Sequence, residues 1–470
     1  MLKVSSNEIS ATCEGSSRRE FLRIGTLGLG GLALTDLLSL QTLGSESNRY
    51  EILRNKSVVF LNLQGGPTHV ETFDPKMTAP SEYRAMFGEV KTSLPGVTFG
   101  HHFPLLGKLA HKMAVVRSFR HGNGSHGSAA ALVAAGGSST GACMGSLFSR
   151  VAGITNHRTG LPNNCVVVPA TCGEKYAKLN NKIDRITSVG NLSKTFSPFD
   201  PSKGGEILND MELHLPRGRF DNRRGLLSRI DDLKRSAENS LPSANSLHQK
   251  AFDVILGGVT DAFDLSKEDP GLIERYDTSA FVPPKHLTKK KKNGKAIPAQ
   301  SPVALGKQML MARRLCEAGC GFVTVTSTGW DMHGNAFGID DGMPVLGPAV
   351  DKAASAFIED CAKRGLSEKI LLVISGEFGR TPKINNRGGR DHWGNLCTLA
   401  FAGGGLKMGQ VVGKSDKLVG QPAEDLVTPE MLRGTLMHTL FDPGQVRLMS
   451  GIPSDVKKAV VDAKPIPQLI

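Results

Sequence analysis

Acidic and imidazole side chains stand two residues apart in the segment Gly-Trp-Asp-Met-His-Gly-Asn, which contains Asp331 and His333. In extended backbone, residues two apart point to the same side. Together with His392 they supply the oxygen and nitrogen donors of a zinc- or manganese-type ion, and Glu377 adds another carboxylate. The four positions predict a divalent metal site for zinc, manganese or calcium. The alternative at each position alone is a turn with a hydrogen-bonded histidine.

A second group of polar residues lies in the glycine-rich segment 121–130, which leads into an alanine-rich run. A helix that starts there presents backbone N–H groups at its amino end, which suits an anion and a nucleophile. The alternative is an ordinary helix with Ser125 or Ser128 as its cap.

Two arginines stand close to the metal-ligand candidates in the sequence. Arg380 comes three residues after Glu377, and Arg390 comes two residues before His392. A guanidinium binds the oxygens of an anion through paired hydrogen bonds, so Arg380 is a candidate catalytic residue and Arg390 could assist it. The alternative is that both arginines are structural partners of carboxylates.

The elements that must position these residues are short, apolar, β-branched runs. Each run is continuous rather than alternating, which is typical of strands buried on both faces of a parallel sheet. Helical periodicity lies between them, at 302–318 and 350–364. This alternation predicts an α/β fold, in which ligands bind beyond the carboxyl ends of the strands. The predicted strands cover residues 58–63, 165–168, 322–326, 370–374 and 398–402.

Composition narrows the class of protein. The chain has 470 residues, of which 39% are hydrophobic and 21% charged, and this excludes wholesale disorder, a collagen and a polytopic membrane protein. The net charge is +13, part of it in a lysine run at 285–295 that we interpret as a solvated loop. With only 6% aromatic residues, binding to nucleic acid is not expected.

The amino terminus predicts export. The segment 17–23, Ser-Arg-Arg-Glu-Phe-Leu-Arg, precedes an apolar, glycine-rich stretch to about residue 40, which indicates a twin-arginine signal over residues 1–45. We therefore expect the twin-arginine export machinery as a partner and a periplasmic or otherwise extracytoplasmic location. No clean cleavage site follows, so an uncleaved membrane anchor stays open. The alternative is a cytosolic amphipathic helix with a chance arginine pair.

The remaining chain, 46–470, is predicted to form a single α/β domain with an insertion at about 174–300. Inside the insertion, residues 221–241 and 246–256 predict charged amphipathic helices, and residues 428–440 predict a terminal helix. Seven of the eight cysteines follow the signal segment, so at least one thiol is unpaired. A cysteine-rich zinc site is not expected, because no Cys-x-x-Cys pair occurs.

The motifs, taken in order, resemble the bacterial "domain of unknown function 1501" (DUF1501) family from about residue 17 to 445. That family is grouped with the alkaline phosphatase and sulfatase superfamily. Besides the twin-arginine start, the matching motifs are Gly-Gly-Pro-Thr-His69, the run 312–319 (Ala-Arg-Arg-Leu-Cys-Glu-Ala-Gly), Gly-Trp-Asp331-Met-His333, Gly-Glu377-Phe-Gly-Arg-Thr-Pro and Gly-Arg-Asp391-His392-Trp.

The resemblance implies a mostly parallel central sheet flanked by helices, and a metal-assisted attack on phosphate or sulfate esters. Asp331, His333 and His392 resemble the superfamily's ligands for one metal. Three positions depart from that pattern. Gln64 stands where the superfamily has a metal-binding Asp, and residue 378 is Phe where the superfamily has a second-site His. Counting back from the glycine at 136 puts His126 at the place of the nucleophile. The resemblance therefore implies that His126 or Ser125 attacks the ester, or that His126 acts as the general acid or base.

Two functions follow from these observations. The first is an exported metal-dependent hydrolase of phosphate or sulfate esters, with a divergent active site and a small-molecule or glycan ester as substrate. The second is a non-catalytic exported binding or assembly protein that keeps the alkaline phosphatase-like fold. The retained ligand candidates favour the first function, and the departures at Gln64 and Phe378 favour the second.

Overall fold

The computed structural model describes residues 52–176, 183–203, 259–283, 301–335 and 337–470. The predicted signal segment, the predicted helices at 221–241 and 246–256, and the lysine run lie outside these residues. The strands are β1 Ser57–Gln64, β2 Glu89–Lys91, β3 Thr98–Gly100, β4 Met113–Phe119, β5 Asn164–Val167, β6 Phe322–Thr328, β7 Ile370–Ser375, β8 Gly379–Arg380, β9 His392–Trp393, β10 Cys397–Gly403, β11 Gln410–Val412, β12 Lys414–Ser415 and β13 Pro422–Glu424.

The α-helices of the described residues lie between and after these strands. They are α1 His69–Thr72, α2 Pro104–Lys108, α3 His126–Ala135, α4 Met144–Ala152, α5 Pro270–Tyr276, α6 Ser301–Glu317, α7 Ile339–Lys363, α8 Pro429–Leu440, α9 Pro443–Leu448 and α10 Ser454–Val461. The predicted helices at 302–318 and 428–440 correspond to α6 and α8. The helix predicted at 350–364 begins earlier, at Ile339, because α7 continues through Pro344 and Pro348.

A seven-stranded sheet in the order β11-β4-β10-β7-β1-β6-β5 forms the centre of the fold. Its strands pair in parallel, except that β10 runs antiparallel to both β4 and β7. The prediction of a mostly parallel α/β sheet flanked by helices is therefore confirmed. Placing the run at 398–402 among the parallel strands was wrong, because a continuous apolar run reports burial on both faces and not strand direction. Strand β4 was not predicted.

Each face of the sheet carries its own apolar core. Along β1, Val59, Leu61 and Leu63 pack into one core with α6 and α7, whereas Val58 and Phe60 pack into the other with α4 and α8. Alternate residues of a strand point to opposite faces, so a strand covered on both sides has to be apolar at every position. None of the helices in the described part of the chain is long and apolar enough to cross a bilayer.

A buried ion network fixes residues 259–283 against the two longest helices. The Arg313 side chain is 1% exposed; its Nε lies 2.8 Å from Asp360 and its Nη1 lies 2.5 Å from Glu317. Its Nη2 also contacts Glu268, which pairs with Arg364 at 2.8 Å. Burial alone would raise the pKa of Glu268, but hydrogen bonds from Arg313 and Arg314 outweigh it and lower that pKa to about 2.

We expect Arg313→Met to lower the free energy of unfolding by about 3–5 kcal/mol, because it leaves buried carboxylates without their partner. Lys414→Ala removes an exposed pair with Glu424 and should cost at most about 1 kcal/mol. Denaturant unfolding of both variants measures the difference. Equal losses would contradict the structural role of the network.

Candidate metal centre

The strands bring the candidate residues to one edge of the sheet. Asp331 and His333 follow the carboxyl end of β6, and Glu377 follows β7. His126 is the first residue of α3, which the chain reaches from the end of β4. His392 lies on β9, just before the antiparallel β10, whose amino end meets the same edge. The fold thus gathers residues that lie up to 266 positions apart in the sequence.

The loop after β1 fits closely beneath this group. Gly65 has φ +119°, and a Cβ there would lie 2.6 Å from the backbone nitrogen of Asp331. Its own N–H donates a 2.8 Å hydrogen bond to Glu377 Oε1. A side chain at position 65 would therefore be strained by its backbone and would displace Asp331. Glycine at position 65, directly after β1, is therefore needed for the loop to lie this close to the Asp331 backbone.

Three imidazoles converge on a single carboxylate oxygen. The Nε2 atoms of His333, His392 and His126 lie 2.8, 3.2 and 3.3 Å from Asp331 Oδ1. One donor atom from each of these four residues lies within 4.8 Å of every other. Glu377 is not part of that group but contacts His126 from outside it. The arrangement offers three nitrogens and one oxygen to a single ion.

The far side of each ring faces an oxygen acceptor. Nδ1 of His126 lies 2.8 Å from Glu377 Oε1, Nδ1 of His333 lies 3.1 Å from Asp391 Oδ1, and Nδ1 of His392 lies 2.8 Å from the Gly124 carbonyl. In neutral rings these partners place the proton on Nδ1 and leave a lone pair on Nε2. Metal-binding histidines characteristically donate their other N–H in this way.

The inner atoms therefore need a cation between them. The Nε2 atoms of His333 and His392 are only 2.9 Å apart, and both also face the Asp331 carboxylate. The buried Nε2 of His126 makes no hydrogen bond. Neutral imidazole lone pairs and a carboxylate repel one another at such distances unless a metal ion or a proton lies among them. The residues present consequently fit a divalent metal ion.

Charges at the centre shift the pKa values of its members. Burial alone would raise the pKa of Asp331, but its contacts with the three imidazoles and the charge of Arg380 hold that pKa well below its usual range. Burial likewise lowers the pKa of His126, yet contacts with Asp331 and Glu377 outweigh it and raise that pKa. Without a metal, an imidazolium ion is the remaining way to balance the carboxylates.

The guanidinium of Arg380 makes its hydrogen bonds to other groups of the protein. Its side chain is 1% exposed. Nε donates to the Gly66 carbonyl at 2.9 Å, Nη1 to the Arg390 carbonyl at 3.1 Å, and Nη2 to Asp331 Oδ1 at 2.6 Å and to the Gly65 carbonyl. All three guanidinium nitrogens are thus engaged, and the geometry is that of a structural ion pair. Arg390 is also buried and pairs with Glu71 at 3.2 Å.

Ser125 lies outside the converging group. It occupies the amino-terminal cap position of α3, is exposed, and makes no capping hydrogen bond through its side chain. Two contributors to the centre were not predicted from the sequence, namely Asp391 and the Gly124 carbonyl. Asp391 could have been predicted from its position directly before His392. The Gly124 carbonyl could not, because every residue has a backbone carbonyl.

Comparison with known proteins identifies a family and distant similarity to solved structures. A family model described as "Protein of unknown function (DUF1501)" matches residues 55–463. The PsFucS1 sulfatase from Pseudoalteromonas sp. is similar at 12% identity with a TM-score of 0.36, over 96% of this chain and 77% of that one. The lipoteichoic acid synthase LtaP from Listeria monocytogenes is similar at 7% identity with a TM-score of 0.29, over 84% and 80%. No curated protein matches.

We expect Arg380→Gln to lower the free energy of unfolding by about 3–5 kcal/mol, because Asp331 and three carbonyls lose a buried partner. Arg387→Gln is the matched control, since that side chain is 43% exposed in its pair with Asp391 and should change stability by less than about 1 kcal/mol. Denaturant unfolding measures both. If Arg380→Gln is as stable as the parent, the structural role of Arg380 is wrong, and a role in binding substrate is favoured instead.

Proposed function

The chain belongs to the DUF1501 family, and from that premise we propose that it is an exported metal-dependent hydrolase of phosphate or sulfate esters. The observation that carries the proposal is the meeting of three imidazole Nε2 atoms with Asp331 Oδ1 at the edge of the sheet where α/β folds bind ligands. Each ring has an outer oxygen partner, which prepares its inner nitrogen for a metal ion.

His126, Asp331, His333 and His392 would hold the ion. Three nitrogen donors and one oxygen donor favour zinc or manganese over calcium, because calcium takes six to eight oxygen ligands. When bound, such an ion polarises an ester oxygen or lowers the pKa of water. The chain's own contribution is to fix the ligands, through Glu377, Asp391 and the loop after β1, so that little reorganisation accompanies binding.

The amino end of α3 supports an anionic substrate. Backbone N–H groups of its first turn are free of helical partners and favour negative charge. The exposed hydroxyl of Ser125 lies at the same end. With His126 among the ligands, Ser125 is the candidate that would attack the ester; His126 would attack or transfer a proton only in a centre where its Nε2 does not bind the ion. Of the predicted catalytic residues Arg380 is the weakest candidate, because its N–H groups already have partners.

The location follows from the amino-terminal sequence. The twin-arginine segment supports export by the twin-arginine machinery to an extracytoplasmic compartment, where a small-molecule or glycan ester would be the substrate. The protein stays at the membrane if the apolar segment is not removed. This route carries folded proteins, which suits a centre whose ligands come from distant parts of the chain.

One observation favours the second function, a non-catalytic binding or assembly protein. Phe378 stands where the superfamily resemblance implies a histidine of a second metal site, and its ring packs 4.9 Å from His126 and 4.5 Å from His392. An apolar ring at that place leaves room for one metal ion rather than two. The protein could then use the ion for shape rather than for catalysis.

Metal analysis combined with ester hydrolysis separates the two functions. We expect the full chain, purified after export, to hold one divalent ion and to hydrolyse an aryl phosphate or an aryl sulfate. His392→Ala should lower metal content and hydrolysis together by at least about a hundredfold, since it removes a ligand.

The matched control is His111→Ala, an exposed histidine that contacts Ser93 and should change neither quantity. A parent chain with one tightly bound ion and no hydrolysis of either ester would support the binding protein. A parent chain with neither metal nor hydrolysis would overturn the hydrolase.

A further inference from the structure

Glu377 is a buried carboxylate with an incomplete set of partners. Its side chain is 2% exposed, and Oε1 accepts hydrogen bonds from the Gly65 N–H and from Nδ1 of His126, each at 2.8 Å. Its Oε2 is buried and has no hydrogen bond. Burying a carboxylate with one oxygen unpaired costs free energy. A protein keeps such a group where its charge contributes to a binding or catalytic site.

The outer partners of the three imidazoles differ in strength. Asp391, the partner of His333, is 45% exposed and also forms an ion pair with Arg387 at 2.8 Å. The partner of His392 is a neutral carbonyl. Only Glu377 among the three is a buried carboxylate, so its hydrogen bond to His126 is the least screened by solvent. Its backbone follows β7 directly, which gives it a rigid support.

The ring of His126 has little freedom to turn away from the centre. It packs 4.3 Å from the His392 ring and 4.9 Å from the Phe378 ring. The next residue, Gly127, lies against the Arg185 guanidinium, where a Cβ would meet Nη1 at 2.4 Å. With Nδ1 held by Glu377, the buried Nε2 is directed at Asp331.

We propose that His126 is the fourth ligand of the metal centre, and that Glu377 is the positioning residue that holds it in the ligating orientation. This inference rests on the proposed function and refines it. A His126 whose Nε2 lone pair is given to the ion cannot also be the attacking group. Asp331 and the buried Glu377 face one guanidinium, that of Arg380, and a divalent ion among them would give the centre the positive charge that favours an anionic ester.

Cobalt titration of the full chain tests this assignment, since the intensity of visible absorption reports the coordination number of Co²⁺ and needs no turnover. We expect His126→Ala to change the spectrum and to weaken binding. Glu377→Gln, which keeps size but removes charge, should weaken Co²⁺ binding by about 10–100-fold. Asp391→Asn should weaken it less, because that carboxylate is half exposed, and the control His111→Ala should leave both spectrum and affinity unchanged.

Two results would overturn the inference while the metal-centre proposal stands. One is a His126→Ala protein with the parent's spectrum and affinity. The other is a Glu377→Gln protein that binds Co²⁺ as tightly as the parent. A parent chain that binds neither Co²⁺ nor Zn²⁺ would overturn the proposed function and this inference with it. Circular dichroism of each variant verifies folding, which the half-exposed position of His126 favours for His126→Ala.

Discussion

The arrangement of the centre depends on one oxygen atom, Oδ1 of Asp331. Three imidazoles and the Arg380 guanidinium meet at this atom, which therefore links residues that follow β4 and β6 with residues on β8 and β9. Gly65 permits the approach, because no residue with a Cβ fits against the Asp331 backbone. The loop after β1, the buried arginine and the ligand set are consequently one unit. A change in any of them alters the position of the carboxylate on which the others converge.

The sequence predicted the parts of this unit that depend on local pattern. Continuous apolar runs indicated the strands, and the Asp-x-His spacing indicated that Asp331 and His333 share a side. The direction of β10 could not be predicted, since apolar content is the same for either direction. Nor could the contact between Glu377 and His126, which are 251 residues apart and meet only because β4 and β7 both flank β10. Residue types identified the candidates, whereas their division into inner and outer partners depended on the three-dimensional path of the chain.

Phe378 shapes the centre without offering it a polar side chain. The aromatic ring packs against two imidazoles of the centre, so it stabilises their orientation while it occupies space that a polar side chain would use. The loop after β1 has a comparable effect, because Gly65 supplies a backbone N–H to Glu377. Both features hold the side chains of the centre in place.

The cysteines of the described residues have a consequence for the lifetime of the protein. All seven are free thiols, and six of them are buried. If the chain is exported as proposed, it enters an oxidising environment with its thiols shielded by the packing of the fold. A molecule that unfolds there exposes them together, and random cross-linking would then prevent its return to the native state. Its persistence outside the cytoplasm would be governed by the rate of first unfolding rather than by the equilibrium between folded and unfolded chains.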